Sequence, residues 1–376
     1  MLKISIITLQ NISNYGSVLQ AYASQFFFQS LGYQVEIVDY WRKNMIDQNV
    51  AHDLIEQKDL KLKKYWCKNG LLKLIVEGFL YLKIKNYARP FRKFVREKLI
   101  TTSMIYTSYE SLKINPPVAD VYCVGSDQVW NSDWNGGFDP AFYLGYVPKG
   151  KEKIAFASSF GIEHISQQEE KCVKKYLTDF NLISVREKSA VNLLQNMGIS
   201  GVKCILDPTL LITKEQWEIL LDKKVAKKEK YILVYQLNDS DFFDQAVEEA
   251  EKMTSLKVIR LEYKKTNKLG KHIVRPSVSE WITYFYNADY VITDSFHATA
   301  FSINFEKQFL DILPPQFGTR ITNVLELFGL SDRKVVSLEN ITELLSLIDY
   351  TFITNTLNKY RLIVKNIFYS LHSRSL

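Results

Sequence analysis

The chain has 376 residues, a formal net charge of +7, 47% hydrophobic residues and 24% charged residues. This length exceeds one ordinary hydrophobic core and predicts two domains, while the composition is typical of a soluble globular protein. No run of eighteen apolar residues occurs, so a membrane-spanning helix is not expected. The four cysteines are far apart and lack metal-ligand spacing, which predicts reduced thiols in a cytoplasmic protein.

The first predicted strand covers residues 3–9 and lacks the basic start, long apolar region and cleavage site of a signal peptide. A polar loop over residues 11–17 follows, and a helix is predicted to begin near Val18. Because this loop lies at the carboxyl end of a strand, Asn14 is a candidate ligand contact. Gly16 is the only glycine of the loop, and no G-x-G-x-x-G or P-loop pattern occurs in the chain, so nothing in the sequence indicates nucleotide binding.

A basic stretch occupies residues 58–98, with thirteen lysines or arginines against three acidic residues. Apolar side chains lie between these cations, and they are Tyr65, Trp66, Leu71, Leu72, Leu74, Ile75, Val76, Phe79, Leu80, Leu82 and Ile84. The mixture predicts amphipathic helices in an insert at about residues 45–115. Two interpretations fit equally well: a face that contacts anionic lipid headgroups or a pyrophosphate-linked glycan, and a solvated insertion packed on the domain. The rest of the chain is slightly acidic and has no nucleic-acid motif, which argues against nucleic acid as a partner.

Strands and helices alternate along the rest of the chain. The later strands of the first half are predicted at residues 34–39, 121–124, 154–160, 182–185 and 202–206. After the charged patch at 223–230, a second cycle places strands at 231–235, 257–261, 290–293 and 308–312. Such alternation is typical of parallel sheets with right-handed crossovers. We therefore predict two Rossmann-like α/β domains, residues 1–222 and 223–340, with a cleft between them, and C-terminal helices at 341–376 that cross back to the first domain.

The segment Gly125–Asn131 combines a tight turn with an acidic, an amide and an aromatic side chain at the end of a predicted strand. Asp127 is suited to orient or deprotonate a sugar hydroxyl, and Trp130 to stack on a pyranose ring. A helix N-cap explains Asp127 equally well. At another strand end, Arg186 is suited to grip a carboxylate or phosphate with two hydrogen bonds. A structural salt bridge from Arg186 to Glu187 or another acid is the competing interpretation.

The most informative stretch runs from Thr293 to Ser302, where a predicted buried strand ends and a helix begins. Ligands bind at such connections in open α/β sheets, because the free N–H groups and the dipole of the helix start favour an anion. His297 lies at this point among small residues that let a ligand approach the backbone. A histidine packed in the core is the alternative.

Five segments carry a resemblance to a known family, and in chain order they are Tyr15–Tyr22, Gly125–Asn131, Ser184–Glu187, Asp207–Leu211 and Ser295–Phe301. Together they resemble the polysaccharide pyruvyl transferase family over roughly residues 1–330. The resemblance implies a two-domain fold like that of the GT-B glycosyltransferases. It also implies phosphoenolpyruvate as the donor and a pair of sugar hydroxyls as the acceptor. No further cofactor is expected, and no metal site, because the sequence has no clustered carboxylates or histidines.

The resemblance implies that His297 and Arg186 lie at the phosphate and carboxylate of the donor, and the residues at the predicted strand ends complete the predicted site. The predicted donor contacts are Arg186, Ser295, Phe296 and His297. The predicted acceptor contacts are Trp130, Asn14 and Gln128. Asp127 would lie near the reacting centre, and Ala298 stands where the family usually has glycine, which adds a methyl group beside the expected donor site.

The predicted reaction forms a ketal: His297 donates a proton to the methylene carbon of the donor, and Asp127 acts as the base for the attacking hydroxyl. The predicted acceptor is a sugar or lipid-linked oligosaccharide of a capsule or exopolysaccharide. It would be modified in the cytoplasm, with peripheral contact to the inner face of an anionic membrane. We expect His297→Ala or Arg186→Ala to abolish transfer without unfolding the protein. The alternative functions are a GT-B glycosyltransferase that uses a nucleotide sugar and an inactive sugar-binding subunit.

Overall fold

Two parallel β-sheets, each flanked by helices, form the protein. The computed structural model describes residues 1–56, 70–226, 229–314 and 318–372. The part of the predicted basic insert at residues 57–69, with Tyr65 and Trp66, lies outside the described residues. The predicted alternation of strands and helices is confirmed, and with it the α/β fold class.

The first sheet has seven parallel strands in the order β3-β2-β1-β4-β5-β6-β7. Their bounds are β1 Lys3–Ile7, β2 Gln34–Tyr40, β3 Thr101–Tyr106, β4 Val121–Val124, β5 Glu152–Ser158, β6 Leu182–Val185 and β7 Lys203–Cys204. Every residue of the central strand β4 is buried, because helices cover both faces of a parallel sheet. The strand order switches between β1 and β4, so a crevice opens at the carboxyl ends of these two strands.

The second sheet has five parallel strands in the order β10-β9-β8-β11-β12. Their bounds are β8 Tyr231–Tyr235, β9 Lys257–Glu262, β10 Lys271–Val274, β11 Tyr290–Thr293 and β12 Gln308–Asp311. The switch point of this sheet lies between β8 and β11. The loop that carries His297 follows β11 and therefore opens at that switch point.

The helices of the first half are α1 Tyr15–Ser30, α2 Asp47–Glu56, α3 Gly70–Lys98, α4 Tyr109–Ile114, α5 Ser132–Asn135, α6 Gln167–Leu177, α7 Lys188–Asn196, α8 Pro208–Leu211 and α9 Lys214–Trp217. Those that follow are α10 Asp241–Thr254, α11 Val278–Asn287, α12 Phe296–Asn304, α13 Thr319–Phe328 and α14 Tyr350–His372. Short 3₁₀ turns occur at Lys43–Met45, Pro140–Tyr143, Glu218–Leu220, Ser331–Arg333 and Leu338–Leu345. Within the described parts of the chain, no helix is both long and apolar enough to cross a membrane.

The structure contains two strands that the sequence did not predict. One of them, β3, lies inside the segment expected to be a helical insert, so that segment is not helical throughout, and β3 separates α3 from α4. Three of the six β3 residues are exposed, because this strand forms the edge of the first sheet beside β2. The other, β10, is likewise an edge strand, beside β9. Edge strands lack the continuous apolar pattern on which the sequence prediction depended.

One apolar core runs through both halves of the molecule. Tyr15, at the start of α1, stacks on Trp281 of α11 with 5.4 Å between ring centroids. The Tyr15 hydroxyl also donates a hydrogen bond to the carbonyl of Pro276. At the C-terminal end, α14 returns to the first sheet, where the ring of Phe368 packs against those of Phe27, Phe28 and Phe156.

Candidate functional site

A cleft of about 780 Å³ opens between the two halves, at the carboxyl ends of β1, β4, β8 and β11. The first half lines it with the loop before α1 and the turn after β4, and the second half with the starts of α12 and α13. Six residues predicted from sequence share this cavity: Asn14, Asp127, Gln128, Ser295, Phe296 and His297. Concave sites between two domains at strand carboxyl ends are where small substrates bind in open α/β folds.

Asp127 joins the cleft to a buried network of charges. Its backbone is left-handed (φ 71°), a conformation that aspartate tolerates better than most residues. Oδ2 accepts a hydrogen bond from Ser17 Oγ at 2.6 Å, and Oδ1 accepts one from Arg186 Nη2 at 3.2 Å. Burial acts to raise the pKa of Asp127, but the charges of Arg186 and His297 outweigh burial and lower the pKa to about 2. A carboxylate with this pKa is ionised at neutral pH and is a weak base.

Arg186 does not line the cleft, and the expectation that it grips the donor directly is wrong. Its side chain is 1% exposed and pairs with Asp207 at 2.7 Å, with Asp127 at 3.2 Å and with Glu187 at 3.7 Å. The ring of Phe296 lies over the guanidinium, 5.1 Å from it, on the side of the cleft. Three carboxylates surround this one cation, which favours the structural salt bridge, and we assign Arg186 as a positioning residue for Asp127.

His297 lies in the first turn of α12 and is nearly enclosed. Its Nε2 is buried without a hydrogen-bond partner among the described residues and lies 4.0 Å from Asp207 Oδ2. The opposite ring nitrogen, Nδ1, lies against Gly16, where a Cβ atom would approach it to 2.0 Å. Burial lowers the pKa of His297, and the neighbouring carboxylates of Asp207 and Asp127 only partly offset this. The imidazole is therefore neutral near neutral pH.

The start of α12 offers backbone donors to the cleft. Ser295 is the N-cap, but its side chain makes no capping hydrogen bond. The amides of Phe296 and His297, which both line the cleft, donate to no other group in the described residues, and the first of the helical bonds is that from Thr299 N–H to Ser295 C=O. Free amides at a helix N-terminus, aligned with the helix dipole, form an anion-binding site.

Arg320 completes this site, and the sequence prediction missed it. It lines the cleft from the first turn of α13, and its guanidinium lies 5.6 Å from the Phe296 ring, so Phe296 contacts both Arg320 and Arg186. Burial and the charge of Arg186 lower the pKa of Arg320 to about 10, which leaves the group cationic at neutral pH. Its Nε has no partner in the described structure, and we assign the Gln128 amide oxygen as the acceptor of its Nη2 at 2.8 Å. The one sequence feature that could have indicated Arg320 is its position at the start of a helix that follows β12.

Trp130 does not reach the cleft, so its predicted stacking on a sugar is wrong. The side chain is 1% exposed, its ring stacks on Tyr143, and its Nε1 donates to the carbonyl of Phe142. Trp134, four residues later, does line the cleft and is 62% exposed. Asn14 lies in the cleft wall, where its side-chain oxygen accepts the Ser17 N–H and caps α1.

Ala298 is fully buried and is not among the residues that line the cleft. In the described segments, no group of three His, Cys, Asp or Glu side chains is placed to hold a metal ion.

The sequence matches the model of the polysaccharide pyruvyl transferase family over residues 14–312, which is most of the chain. The chain belongs to this family. The range matched to the polysaccharide pyruvyl transferase family includes Asp127, Arg186 and His297 but ends before Arg320. No curated protein matches the sequence significantly.

Solved structures resemble this polysaccharide pyruvyl transferase family member at low sequence identity. An S. aureus MnaA–UDP co-structure has 12% identity and a TM-score of 0.53, covering 99% of this chain and 97% of the other. A UDP-GlcNAc 2-epimerase from Methanocaldococcus jannaschii, in complex with UDP-GlcNAc and UDP, has 11% identity, a TM-score of 0.53 and coverages of 98% and 100%. A putative UDP-N-acetylglucosamine 2-epimerase from Listeria monocytogenes has 11% identity, a TM-score of 0.51 and coverages of 96% and 90%. These similarities show the fold alone, and the predicted GT-B-like arrangement of two Rossmann-like domains is confirmed.

Proposed function

We propose that this protein transfers the pyruvyl group of phosphoenolpyruvate onto two hydroxyls of one sugar residue, in a cell-surface polysaccharide or its precursor. The products are a pyruvate ketal and phosphate. Family membership supports the reaction class. One structural observation supports the donor: an anion site and a neutral histidine face the same cavity.

The anion site has two parts that suit the two anionic groups of phosphoenolpyruvate. The guanidinium of Arg320 is suited to bind a carboxylate or phosphate with two hydrogen bonds. The free amides at the start of α12 provide a second set of donors beside it. Because Arg186 is already paired with three carboxylates, Arg320 supplies the positive charge for the donor.

The acid–base roles follow from the lowered pKa values of His297 and Asp127. His297 is neutral, so it takes the proton of the first attacking hydroxyl and, as imidazolium, delivers that proton to the methylene carbon of the donor. The adjacent carbon bonds to the first hydroxyl oxygen. The second hydroxyl then displaces phosphate, which leaves with the second proton. Asp127 stays ionised and stabilises the imidazolium and the electron-poor carbon, instead of acting as the base expected from sequence.

The acceptor side of the cleft contains an aromatic surface. Trp134 exposes most of its indole there, next to Asn135 and Arg42, whose Nη1 donates to the Asn135 side chain. An exposed indole beside polar groups suits a sugar ring, because the ring stacks and its hydroxyls find hydrogen-bond partners. We assign the acceptor to this wall, with Asn14 and Gln128 as further contacts. The acceptor we propose is a sugar or a lipid-linked oligosaccharide of a capsule or exopolysaccharide, modified at the inner face of the membrane.

A label-transfer experiment tests this function. The protein is incubated with phosphoenolpyruvate labelled in its pyruvyl carbons and with lipid-linked oligosaccharides from the native cells, and both glycan label and free phosphate are measured. We expect equal amounts of transferred label and phosphate, and their loss in folded His297→Ala. The matched control, His164→Ala, removes an exposed histidine outside the cleft and should leave transfer unchanged. Transfer of a sugar from a nucleotide sugar, without transfer of the label, would instead identify a glycosyltransferase.

A further inference from the structure

We propose that the exposed face of α3 docks the protein on an anionic lipid surface. This inference deepens the proposed function, because a lipid-linked acceptor lies at such a surface. The docking face consists of exposed side chains of α3 that lie outside the cleft, and they are Leu74, Ile75, Phe79, Leu82, Arg89, Lys93 and Arg96.

The solvent-facing side of α3 is apolar in the first half of the helix. Leu74, Ile75, Phe79 and Leu82 expose 66%, 60%, 67% and 63% of their surface. Ile75, Phe79 and Leu82 recur at intervals of four and three residues, so they lie on one face of the helix. A surface helix ordinarily turns such a face toward the core. Contiguous exposed apolar side chains of this size mark a contact surface.

The same face is cationic in the second half of the helix. Arg89, Lys93 and Arg96 are exposed and continue the three- and four-residue spacing from Leu82. The opposite side of this half is buried in the protein through Phe91 and Phe94, so the cations cannot turn inward. Apolar side chains that enter the acyl boundary, followed by cations at headgroup level, are typical of helices that lie on anionic membranes.

Charge favours a lipid surface over a second copy of the chain. The helix α3, residues 70–98, carries eight cationic side chains against two acidic ones. Two copies of this face would bring like charges together, whereas anionic headgroups attract each cation within a Debye length.

The position of α3 also relates the docking face to the cleft. Arg92 of α3 binds Asp47 of α2 through two hydrogen bonds of 2.6 and 2.5 Å. Met45, two residues before Asp47, lines the cleft. The apolar stripe ends at Leu82, ten residues and therefore about 15 Å along the helix axis before Arg92. Docking through this face places the cleft beside the lipid surface, where the glycan of a lipid-linked acceptor is accessible.

Vesicle cosedimentation of the full chain tests the docking face. The wild type should bind vesicles that contain phosphatidylglycerol, bind phosphatidylcholine vesicles weakly, and dissociate at high salt. The triple variant Ile75→Ser, Phe79→Ser, Leu82→Ser should bind about tenfold less tightly or worse. The matched control, Phe352→Ser, removes a phenylalanine that is 63% exposed on α14 and should bind like the wild type. Arg89→Glu with Lys93→Glu should also lose binding to the anionic vesicles.

Three results would overturn the docking proposal: no binding by the wild type, equal binding by the triple variant, or a wild-type dimer in light scattering that the triple variant converts to monomers without any vesicle binding.

Binding of phosphoenolpyruvate, measured without vesicles, separates the two proposals. The triple variant should bind the donor like the wild type, since its changes lie outside the cleft. Vesicle binding without donor binding would remove the proposed function and leave the docking face standing.

Discussion

Arg186 and Arg320 contact the same ring of Phe296, yet we expect different effects from their removal. Loss of Arg320 should weaken donor binding, whereas loss of Arg186 should lower the stability of the fold. Arg186→Met leaves three carboxylates without their shared cation in a buried place, so it should lower the free energy of unfolding by roughly 3–5 kcal/mol. Urea unfolding followed by circular dichroism measures this. The buried ion pairs therefore predict an unstable Arg186 variant, and not the folded, inactive one that the sequence pattern suggests. A variant as stable as the wild type would show that the network is not structural.

The lowered pKa of His297 predicts the acid side of the pH–rate profile. A base with a pKa below the ordinary 6.5 stays unprotonated as the pH falls past 6.5, so kcat/KM, which reports the free enzyme, should decline only at lower pH. The profile is measured in steady state, with His297→Gln as the variant that should lack this acid limb in its residual activity. An acid limb at or above pH 6.5 in the wild type would contradict a buried, neutral imidazole.

At the residue scale, the sequence located the site but not the role of every side chain. Asp127 and His297 follow strands, and strand ends converge, so their proximity could be predicted from order alone. Whether Trp130 or Trp134 faces the cleft depends on tertiary packing that the sequence pattern does not encode. Arg320 had no motif around it and comes close to the other residues only when α13 packs beside α12.

At the element scale, the contact between α1 and α12 predicts a specific effect of Gly16→Ala. The added Cβ would lie 2.0 Å from His297 Nδ1, so the imidazole must move, and activity should fall by about a hundredfold. Gly78→Ala is the matched control, because its Cβ meets no atom within 4 Å in the middle of α3. The control should keep full activity and gain up to about 1 kcal/mol of stability. Steady-state rates and thermal melts of both variants check this, and full activity of Gly16→Ala would show that His297 is not fixed by this contact.

The elements themselves differ in how well the sequence predicts them. The predicted bounds of β4, β6, β8 and β11 agree with the structure, because short buried runs between polar turns have sharp ends. The helix α1 begins at Tyr15, three residues earlier than predicted, since Asn14 caps it. The edge strands β3 and β10 were missed, because one exposed side removes the apolar run.

At the scale of the whole molecule, α14 links the two halves. Arg361 donates to the carbonyls of Leu210 and Ile212, which follow the first sheet, and to the side chain of Asn304 in α12. Phe368 is fully buried against the first sheet, so Phe368→Ala should cost roughly 3–5 kcal/mol of unfolding free energy. Leu362→Ala, at a position 59% exposed on the same helix, should have little effect. Equal stability of both variants, measured by urea unfolding, would show that α14 does not stabilise the first half.

The overall architecture was accessible from sequence because alternating strands and helices permit few topologies. Two switch points facing each other then make a cleft, whatever the chemistry in it. The function is a separate question, since similar folds serve several activities and the match to structures of 11–12% identity shows the fold alone. The chemistry we propose depends on a few side chains at the cleft, above all Arg320 and His297.

A thermal-shift titration of the wild type tests the proposed donor site most directly. The ligands are phosphoenolpyruvate and, separately, a panel of UDP- and ADP-sugars. A ligand that binds only the native state raises the melting temperature as its concentration increases. We predict stabilisation by phosphoenolpyruvate, its loss in Arg320→Gln, and its retention in Arg89→Gln, which removes an exposed arginine outside the cleft. Stabilisation by a nucleotide sugar with none by phosphoenolpyruvate, or an unchanged response in Arg320→Gln, would contradict the donor site described above.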